Sequence, residues 1–239
     1  MFKKYQIQLL FEDENYVVVS KPSGLLSIPD RYDETLPNLR EILKEIYGEI
    51  YTVHRLDKDT SGVICFAKNA EAHKYLNDKF AEGEVKKIYW AFTEGKPEIE
   101  EGRIDVPILN DMKNSGRMLV NNAGKEATTF FRLVENYGSI SLMEYYPLTG
   151  RTHQIRVHSK YLGCPLLVDE LYNGKTAFYL SEIKRRYNNR KFEEERPLVS
   201  RLTLHAVSIQ FEDMKGKEIF VESELPKDLG ALRKQLSKL

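Results

Sequence analysis

The sequence predicts an α+β fold: a mostly antiparallel mixed sheet with packed helices and a central cleft. Short runs rich in β-branched and aromatic residues recur along the chain, bounded by glycine, proline, asparagine or aspartate. Between them stand segments with helical spacing of apolar residues and capping signals at their ends. Strands with inserted helices are typical of this class, and 239 residues are enough to bury a substantial core.

The first half of the chain predicts a hairpin, two helices and a strand pair. YQIQLLFE and YVVVSKP flank an Asp-Glu-Asn turn, which favours a β-hairpin. Asn38 can cap a helix over residues 39–47, and Asn69 can cap a second helix over residues 70–80, each followed by a glycine. Between the helices, IYTV and VICFA predict two strands joined through the polar stretch His54–Val63.

The second half begins with an alternating strand, VKKIYWAFTEG, in which one face carries Val85, Lys87, Tyr89 and Ala91. Residues 97–147 predict several further strands. TGRTHQIRVHSKYLG then predicts a helix that starts near Thr149 or Thr152. A helix is expected from about residue 177 to 187, and two strands and a last helix after Pro226 close the chain.

The polar stretch His54–Val63 is the first candidate for chemistry. Arg55 and Asp57 stand two residues apart, and on an extended chain such side chains project to the same side. A carboxylate held beside fixed cations stays ionised and can act as a nucleophile or a base. The alternative is a hairpin turn with ordinary solvated charges, in which residues 59–62 form the turn.

Composition narrows the class of protein. A content of 41% hydrophobic and 30% charged residues is typical of a globular protein. No apolar run reaches the roughly 20 residues of a membrane span. Acidic residues near the N-terminus are not typical of a signal peptide, so we expect a cytoplasmic protein. Cys65 and Cys164 are isolated among apolar neighbours, which predicts buried free thiols. Without a Gly-rich nucleotide loop or a metal-binding motif, we expect neither cofactor nor metal.

Charge is distributed unevenly although the net charge is zero. Residues 1–120 hold 17 basic and 21 acidic side chains, whereas residues 148–205 hold 11 basic and 6 acidic ones. Gly150, Arg151 and Thr152 offer helix N-terminal amides and a cation to a phosphate, although plain helix capping explains them equally and the two are compatible. KRRYNNRK, Lys184–Lys191, is typical of an RNA contact, but the acidic run after it equally indicates solvated charge pairs.

Two of these segments, HRLDKDTSG and GRTHQIRVH, resemble the signature stretches of the RluA-type RNA pseudouridine synthases. Four further segments resemble that family in the same order along the chain: VVSKPSGLL, KKIYWAFTEG, GCPLLVDELYNG and RLTLHA. The resemblance spans most of the chain. It implies the pseudouridine synthase-like catalytic fold, which is of the α+β kind already indicated.

The resemblance implies an isomerase that converts specific uridines in ribosomal or transfer RNA to pseudouridine after flipping the base out of its stack. It assigns catalytic roles to Asp57, Tyr89 and Arg156. Asp57 is the expected catalytic carboxylate, Arg156 the arginine that keeps it ionised, and Tyr89 the residue that packs against the target base.

Substrate binding is expected at Arg55, Arg151 and His153. Arg55 would fill the gap that the flipped nucleotide leaves, and the other two lie in the GRTHQIRVH segment. The KPSG segment begins by residue 21, so residues 1–239 are expected to form one catalytic domain without a separate N-terminal RNA-binding domain. The expected partner is structured RNA, with no DNA or membrane, and the expected state is a monomer.

Two other functions fit parts of the pattern. A hydrolytic glycosidase also breaks a sugar bond, but it normally needs two carboxylates, and only Asp57 stands out here. A non-catalytic RNA-binding protein would keep the basic residues without needing Asp57. The chain also departs from the family at Cys164, Val168 and Asn173, where histidine, glycine and a direct Tyr-Gly pair are usual, which concerns the shape of that loop more than the reaction.

Overall fold

The computed structural model describes residues 2–184 and 194–239, and the chain divides into two compact units. The first unit comprises Met1–Tyr89 and His205–Glu224, and the second comprises Trp90–Leu204 and Leu225–Leu239. Both units combine helices with strands that pair mostly in antiparallel fashion, so the predicted α+β class is confirmed. None of the helices in the described ranges has the length and apolar character of a membrane span.

The strands, in chain order, are β1 (Gln8–Glu12), β2 (Tyr16–Lys21), β3 (Tyr51–Thr52), β4 (Ser61–Ala67), β5 (Lys86–Glu94), β6 (Glu101–Asp105), β7 (Ile108–Asn110), β8 (Met118–Val120), β9 (Thr128–Asn136), β10 (Ile140–Pro147), β11 (Leu204–Glu212) and β12 (Glu218–Glu222). The α-helices are α1 (Leu39–Tyr47), α2 (Ala70–Glu82), α3 (Gln154–Tyr161), α4 (Glu170–Asn173) and α5 (Lys227–Leu236). Short 3₁₀ helices cover Phe2–Tyr5 and Leu180–Glu182.

The sheet of the first unit is built around β4, whose seven residues are all buried. β2 pairs with β4 in antiparallel register, placing Val18 opposite Cys65, and the predicted hairpin of β1 and β2 is confirmed. β11 runs parallel to the start of β4 and antiparallel to β12. An apolar core joins these strands to α2, whose buried residues are Ala72 and Leu76.

The two helices of the first unit begin where their capping residues predicted. Asn38 Oδ1 accepts a hydrogen bond from the backbone N–H of Glu41 at 3.1 Å, and Asn69 Oδ1 accepts one from Ala72 at 2.8 Å. Each bond satisfies one of the amides that a helix N-terminus leaves without an intrahelical partner. α1 and α2 therefore match the helices expected from the sequence.

The second unit contains antiparallel β6, β9 and β10, with β9 in the middle. β7 and β8 form a separate two-stranded hairpin. An apolar core joins β5 and β10 to α5 through residues such as Phe92, Leu142 and Leu232. A smaller cluster packs the β7–β8 hairpin against α3 and α4 and contains Ile108, Val157 and Tyr172.

Two local predictions are wrong. The helix expected from residue 177 is reduced, within the described residues, to the 3₁₀ turn Leu180–Glu182, because the backbone of Phe178 pairs with Val199 and leaves helical geometry. Ser61 and Gly62 do not belong to the turn after Asp57. They begin β4, because this part of the chain pairs with both β2 and β11.

Candidate active site

The loop that carries Arg55 and Asp57 spans residues 53–60 between β3 and β4 and is tied down by residues 21–27. Ser27 Oγ donates to the carbonyl of Leu56 at 2.7 Å and accepts from the N–H of the same residue at 3.1 Å. The buried ammonium of Lys21 donates to the carbonyl of Lys58 at 2.9 Å, which also accepts from the N–H of Gly24. The structure thus brings the KPSG and HRLD segments together, with backbone contacts on both sides of Asp57.

His54 fixes the loop from its other end. Its Nε2 accepts a hydrogen bond from the backbone N–H of Cys65 in β4 at 3.0 Å, and its ring lies 5.0 Å from that of Phe80. Burial and the positive charge of Lys87 lower the pKa of His54 to about 3. The imidazole is therefore neutral at physiological pH and keeps the lone pair that this hydrogen bond requires.

Tyr89 is buried in β5 and interacts electrostatically with Asp57. Burial raises the pKa of the Tyr89 hydroxyl above its usual range, and the negative charge of Asp57 raises it further. Tyr89 therefore stays a neutral aromatic ring close to this carboxylate. Asp57 itself is partly buried, and Arg55, two residues earlier, is exposed.

The remainder of the HRLDKDTSG segment is held against β11. Ser61 Oγ is hydrogen-bonded to His205 Nδ1 at 2.9 Å. Gly62 has φ +113°, and a β-carbon there would lie 2.1 Å from the carbonyl oxygen of Ala206. Only glycine fits this approach between the two strands. The backbone that follows Asp57 is therefore fixed by packing with the LHA segment of β11.

In the second unit, Arg156 on α3 forms a buried ion pair with Asp169. Its Nε and one terminal nitrogen each donate to a different carboxylate oxygen of Asp169 at 2.7 Å. Asp169 also accepts from the backbone N–H groups of Leu171 and Tyr172 and so caps α4. This two-point contact fixes the plane of the guanidinium as well as its position.

Tyr172 connects three parts of the second unit. Its hydroxyl accepts a hydrogen bond from the N–H of Met118 in β8 at 2.9 Å and is hydrogen-bonded to His153 Nδ1 at 2.9 Å. The guanidinium of Arg156 lies 4.9 Å from its ring centre, and that of Arg117 lies 5.8 Å away. The hairpin of β7 and β8 is thus joined through Tyr172 to the start of α3.

The start of α3 differs from the expectation that Thr149 or Thr152 caps it. The residue before the first helical position is His153, in a left-handed conformation with φ 55° and without a side-chain cap. Gln154 instead holds the turn before the helix, because its Oε1 accepts from the N–H of Arg151 at 2.9 Å and from Thr149 Oγ1 at 2.7 Å. The amide of Arg151, expected to be open to a phosphate, is therefore occupied.

Neither a metal site nor a disulfide is found among the residues that the structure describes. No group of three or more histidine, cysteine, aspartate or glutamate side chains in residues 2–184 and 194–239 is placed to hold a metal ion. Cys65 and Cys164 are buried free thiols, as predicted. Burial raises the pKa of both thiols, which keeps them protonated.

Comparison with known proteins decides the family. The family model described as RNA pseudouridylate synthase matches residues 15–161. A protein of Vibrio vulnificus called dual-specificity RNA pseudouridine synthase RluA is 35% identical over 92% of this chain and 85% of its own length. The chain belongs to the RNA pseudouridine synthase family. The resemblance to RluA-type enzymes predicted from the motifs is confirmed, and the synthase is an isomerase.

Further relatives agree with this membership. Ribosomal large subunit pseudouridine synthase C of Pasteurella multocida is 35% identical over 96% of the synthase and 69% of its own length. The solved structure called human RNA pseudouridylate synthase domain containing 4 superimposes with a TM-score of 0.71 at 25% identity. The superposition covers 96% of the synthase and 93% of the human chain.

The residues predicted for the site fall into two groups. Arg55, Asp57 and Tyr89 lie in the first unit, where the negative charge of Asp57 raises the pKa of Tyr89. The other three, Arg151, His153 and Arg156, lie together around the start of α3 in the second unit. Arg151 is exposed and donates from Nε to the carbonyl of Glu126. The pairing of Arg156 with Asp57 stays a prediction.

Sequence reasoning missed Asp169 and Tyr172, which both contact Arg156. A local signal was present in DELYNG, because aspartate is a preferred N-cap residue and glycine a typical residue at the end of a helix. It also missed the roles of Lys21 and Ser27 in tying down the Asp57 loop. Of the KRRYNNRK segment, proposed as an RNA contact, all residues after Lys184 lie outside the described part of the chain.

Proposed function

We propose that the synthase isomerises specific uridines of ribosomal or transfer RNA to pseudouridine, with Asp57 as the catalytic carboxylate acting on a flipped-out base. The observation that carries this proposal is the rigid mounting of Asp57. Hydrogen bonds from Ser27, Lys21 and Gly24 reach the residues on both sides of it, and the ring of Tyr89 lies within reach of its charge. A carboxylate that must act on one atom of a bound nucleotide needs this kind of fixed backbone.

The proposed reaction rearranges bonds without any external reactant. The bond from ribose C1′ to uracil N1 breaks, the base turns, and a bond forms from C1′ to C5. N1 gains a proton and C5 loses one, so the overall change is an isomerisation. Asp57 either attacks C1′ or assists the loss of the base, and both routes require its ionised form.

The neutral ring of Tyr89 suits packing against the uracil, because burial and the neighbouring Asp57 both oppose ionisation of its hydroxyl. Arg55, exposed at the edge of the same loop, is proposed to occupy the space that the flipped nucleotide leaves. Arg151 and His153 are proposed to bind the RNA, and Arg156 to act as the counterion of the catalytic carboxylate.

The names of two relatives support ribosomal RNA as one substrate class, because both are named for the large ribosomal subunit. Another relative is named for dual specificity, which is compatible with a second class of RNA. We propose structured RNA as the partner, a monomer acting in the cytoplasm, and a single catalytic domain formed by residues 1–239. Mapping the pseudouridines that disappear from cellular RNA when the gene is deleted identifies the target.

Substitution of Asp57 by asparagine tests the catalytic assignment. Asparagine keeps the shape of the side chain but is neither an anionic nucleophile nor a base, so the rate should fall by several orders of magnitude while RNA binding persists. The assay is release of tritium from uridine C5 in RNA, together with quantification of pseudouridine and free uracil.

Asp59→Asn is the matched control, because Asp59 lies in the same loop, is exposed and loses the same charge. It should retain activity within a few fold of the parent. Undiminished isomerisation by Asp57→Asn would contradict the role of Asp57. Free uracil in place of pseudouridine would favour a glycosidase, and a parent without activity on any RNA would favour the non-catalytic RNA-binding alternative.

A further inference from the structure

Lys87 is a partly buried lysine on the face of β5 that also carries Tyr89. Its ammonium lies 5.6 Å from the ring centre of Phe80, whose ring is also close to that of His54. Residues two apart on a strand point to the same side and are separated by about 7 Å. Lys87 is therefore a direct neighbour of the tyrosine proposed to pack against the target base.

No anionic group neutralises this cation within residues 2–184 and 194–239. The ammonium of Lys87 takes part in no ion pair or hydrogen bond with the described residues; it lies over the ring of Phe80 and interacts electrostatically with His54. The titratable groups beside it, His54 and Tyr89, are both held in their neutral forms. Burial lowers the pKa of Lys87 to about 8, because removal from water disfavours the charged form.

A buried charge without a counterion is unfavourable, so such lysines are uncommon unless a ligand supplies the opposite charge. The ligand that the family membership supplies is RNA, whose anionic groups are its phosphates. The contact with the face of Phe80 is a weak attraction and supplies no opposite charge. The position beside Tyr89 makes a phosphate close to the bound uridine the matching anion.

We propose that Lys87 binds a backbone phosphate of the RNA next to the uridine that packs against Tyr89. This inference rests on the proposed function, since it assumes that RNA enters the face of β5 that carries both residues. Lys87 is then a substrate-binding residue that anchors the strand while the neighbouring base is held for reaction. No proton or bond of the isomerisation passes through it.

The first test is the salt dependence of RNA binding by the full chain. One phosphate contact adds about 0.7 to the slope of log K against log salt for single-stranded RNA. Lys87→Met, which keeps the apolar stem against Phe80, should reduce the slope by about that amount. Lys87→Arg should retain the slope, and Lys86→Met should leave it unchanged because Lys86 is exposed on the opposite face of the strand.

The second test is proton uptake on binding, measured by calorimetry at pH 8 in buffers with different heats of ionisation. With a pKa of about 8, Lys87 is half protonated in the unbound protein, and a bound phosphate raises that pKa. The parent should take up about half a proton more per RNA than Lys87→Arg, whose side chain is always charged.

The outcomes separate this inference from the function on which it rests. An unchanged slope in Lys87→Met, or equal proton uptake by the parent and Lys87→Arg, overturns the phosphate site even if the parent forms pseudouridine normally. A parent that forms no pseudouridine refutes the proposed function, whereas the two binding tests still decide the role of Lys87. If Lys87→Met does not fold, the comparison of the parent with Lys87→Arg decides alone.

Discussion

The ion pair of Arg156 and Asp169 makes a quantitative prediction about stability. The side chain of Asp169 is fully buried and that of Arg156 is 9% exposed, so both charges of this pair are largely removed from water. Asp169→Asn deletes one charge with almost no change in shape. The remaining oxygen of asparagine can still cap α4, so the variant isolates the loss of the ion pair from the loss of the cap.

The expected destabilisation is about 3–5 kcal/mol, the usual effect of removing one partner from a buried, hydrogen-bonded ion pair. This is a large part of the roughly 5–15 kcal/mol by which folded domains are stable. Truncation to alanine should cost about 1 kcal/mol more, because the cap of α4 is then lost as well. Exposed ion pairs contribute only about 0–1 kcal/mol to stability, so disruption of an exposed pair should cost much less than disruption of the buried pair.

The assay is urea unfolding followed by circular dichroism at neutral pH, with slope and midpoint both fitted. Asp105→Asn is the matched control, because it removes the same charge from the ion pair with Arg103, whose side chains are more than half exposed. It should cost less than 1 kcal/mol. Equal destabilisation by Asp169→Asn and Asp105→Asn would refute the argument that burial makes the Arg156 pair strong.

Two further predictions concern His54 and Tyr172. Between pH 6.5 and about 3 an unfolded histidine binds a proton that folded His54 does not. Through this histidine, the free energy of unfolding of the synthase falls by about 1.4 kcal/mol for each pH unit of acidification. In His54→Gln, whose side chain can still accept from Cys65, the free energy of unfolding measured in urea should decline less from pH 7 to 5 than in the parent. An unchanged decline would show that His54 is protonated when folded. Tyr172→Phe removes the hydroxyl that accepts from Met118, at a cost of about 1 kcal/mol, so the amide of Met118 should exchange with deuterium faster. Tyr51→Phe, which removes a surface hydroxyl, should leave that exchange unaltered, and equal protection of Met118 in Tyr172→Phe and the parent would contradict the hydrogen bond.

The sequence determined the local elements because their signals lie within a few residues. Asn38 and Asn69 stand three residues before the amides that they cap, so the starts of α1 and α2 were predicted correctly. Alternation along β5 placed Lys87 and Tyr89 on one face for the same reason. The motifs around Asp57 and Arg156 also identified the family, since their residues are contiguous in the chain.

Tertiary structure alone decided which distant residues meet. Asp169 lies 13 residues after Arg156, and Ser27 lies 29 residues before Leu56, so neither partner follows from helical or strand periodicity. Packing selected them: the buried guanidinium needed an equally buried carboxylate, and the Asp57 loop needed donors from another segment. The cation of Lys87 was visible in the sequence. Its partial burial, with no counterion among residues 2–184 and 194–239, could be seen only in the folded chain, because burial is a property of the whole first unit.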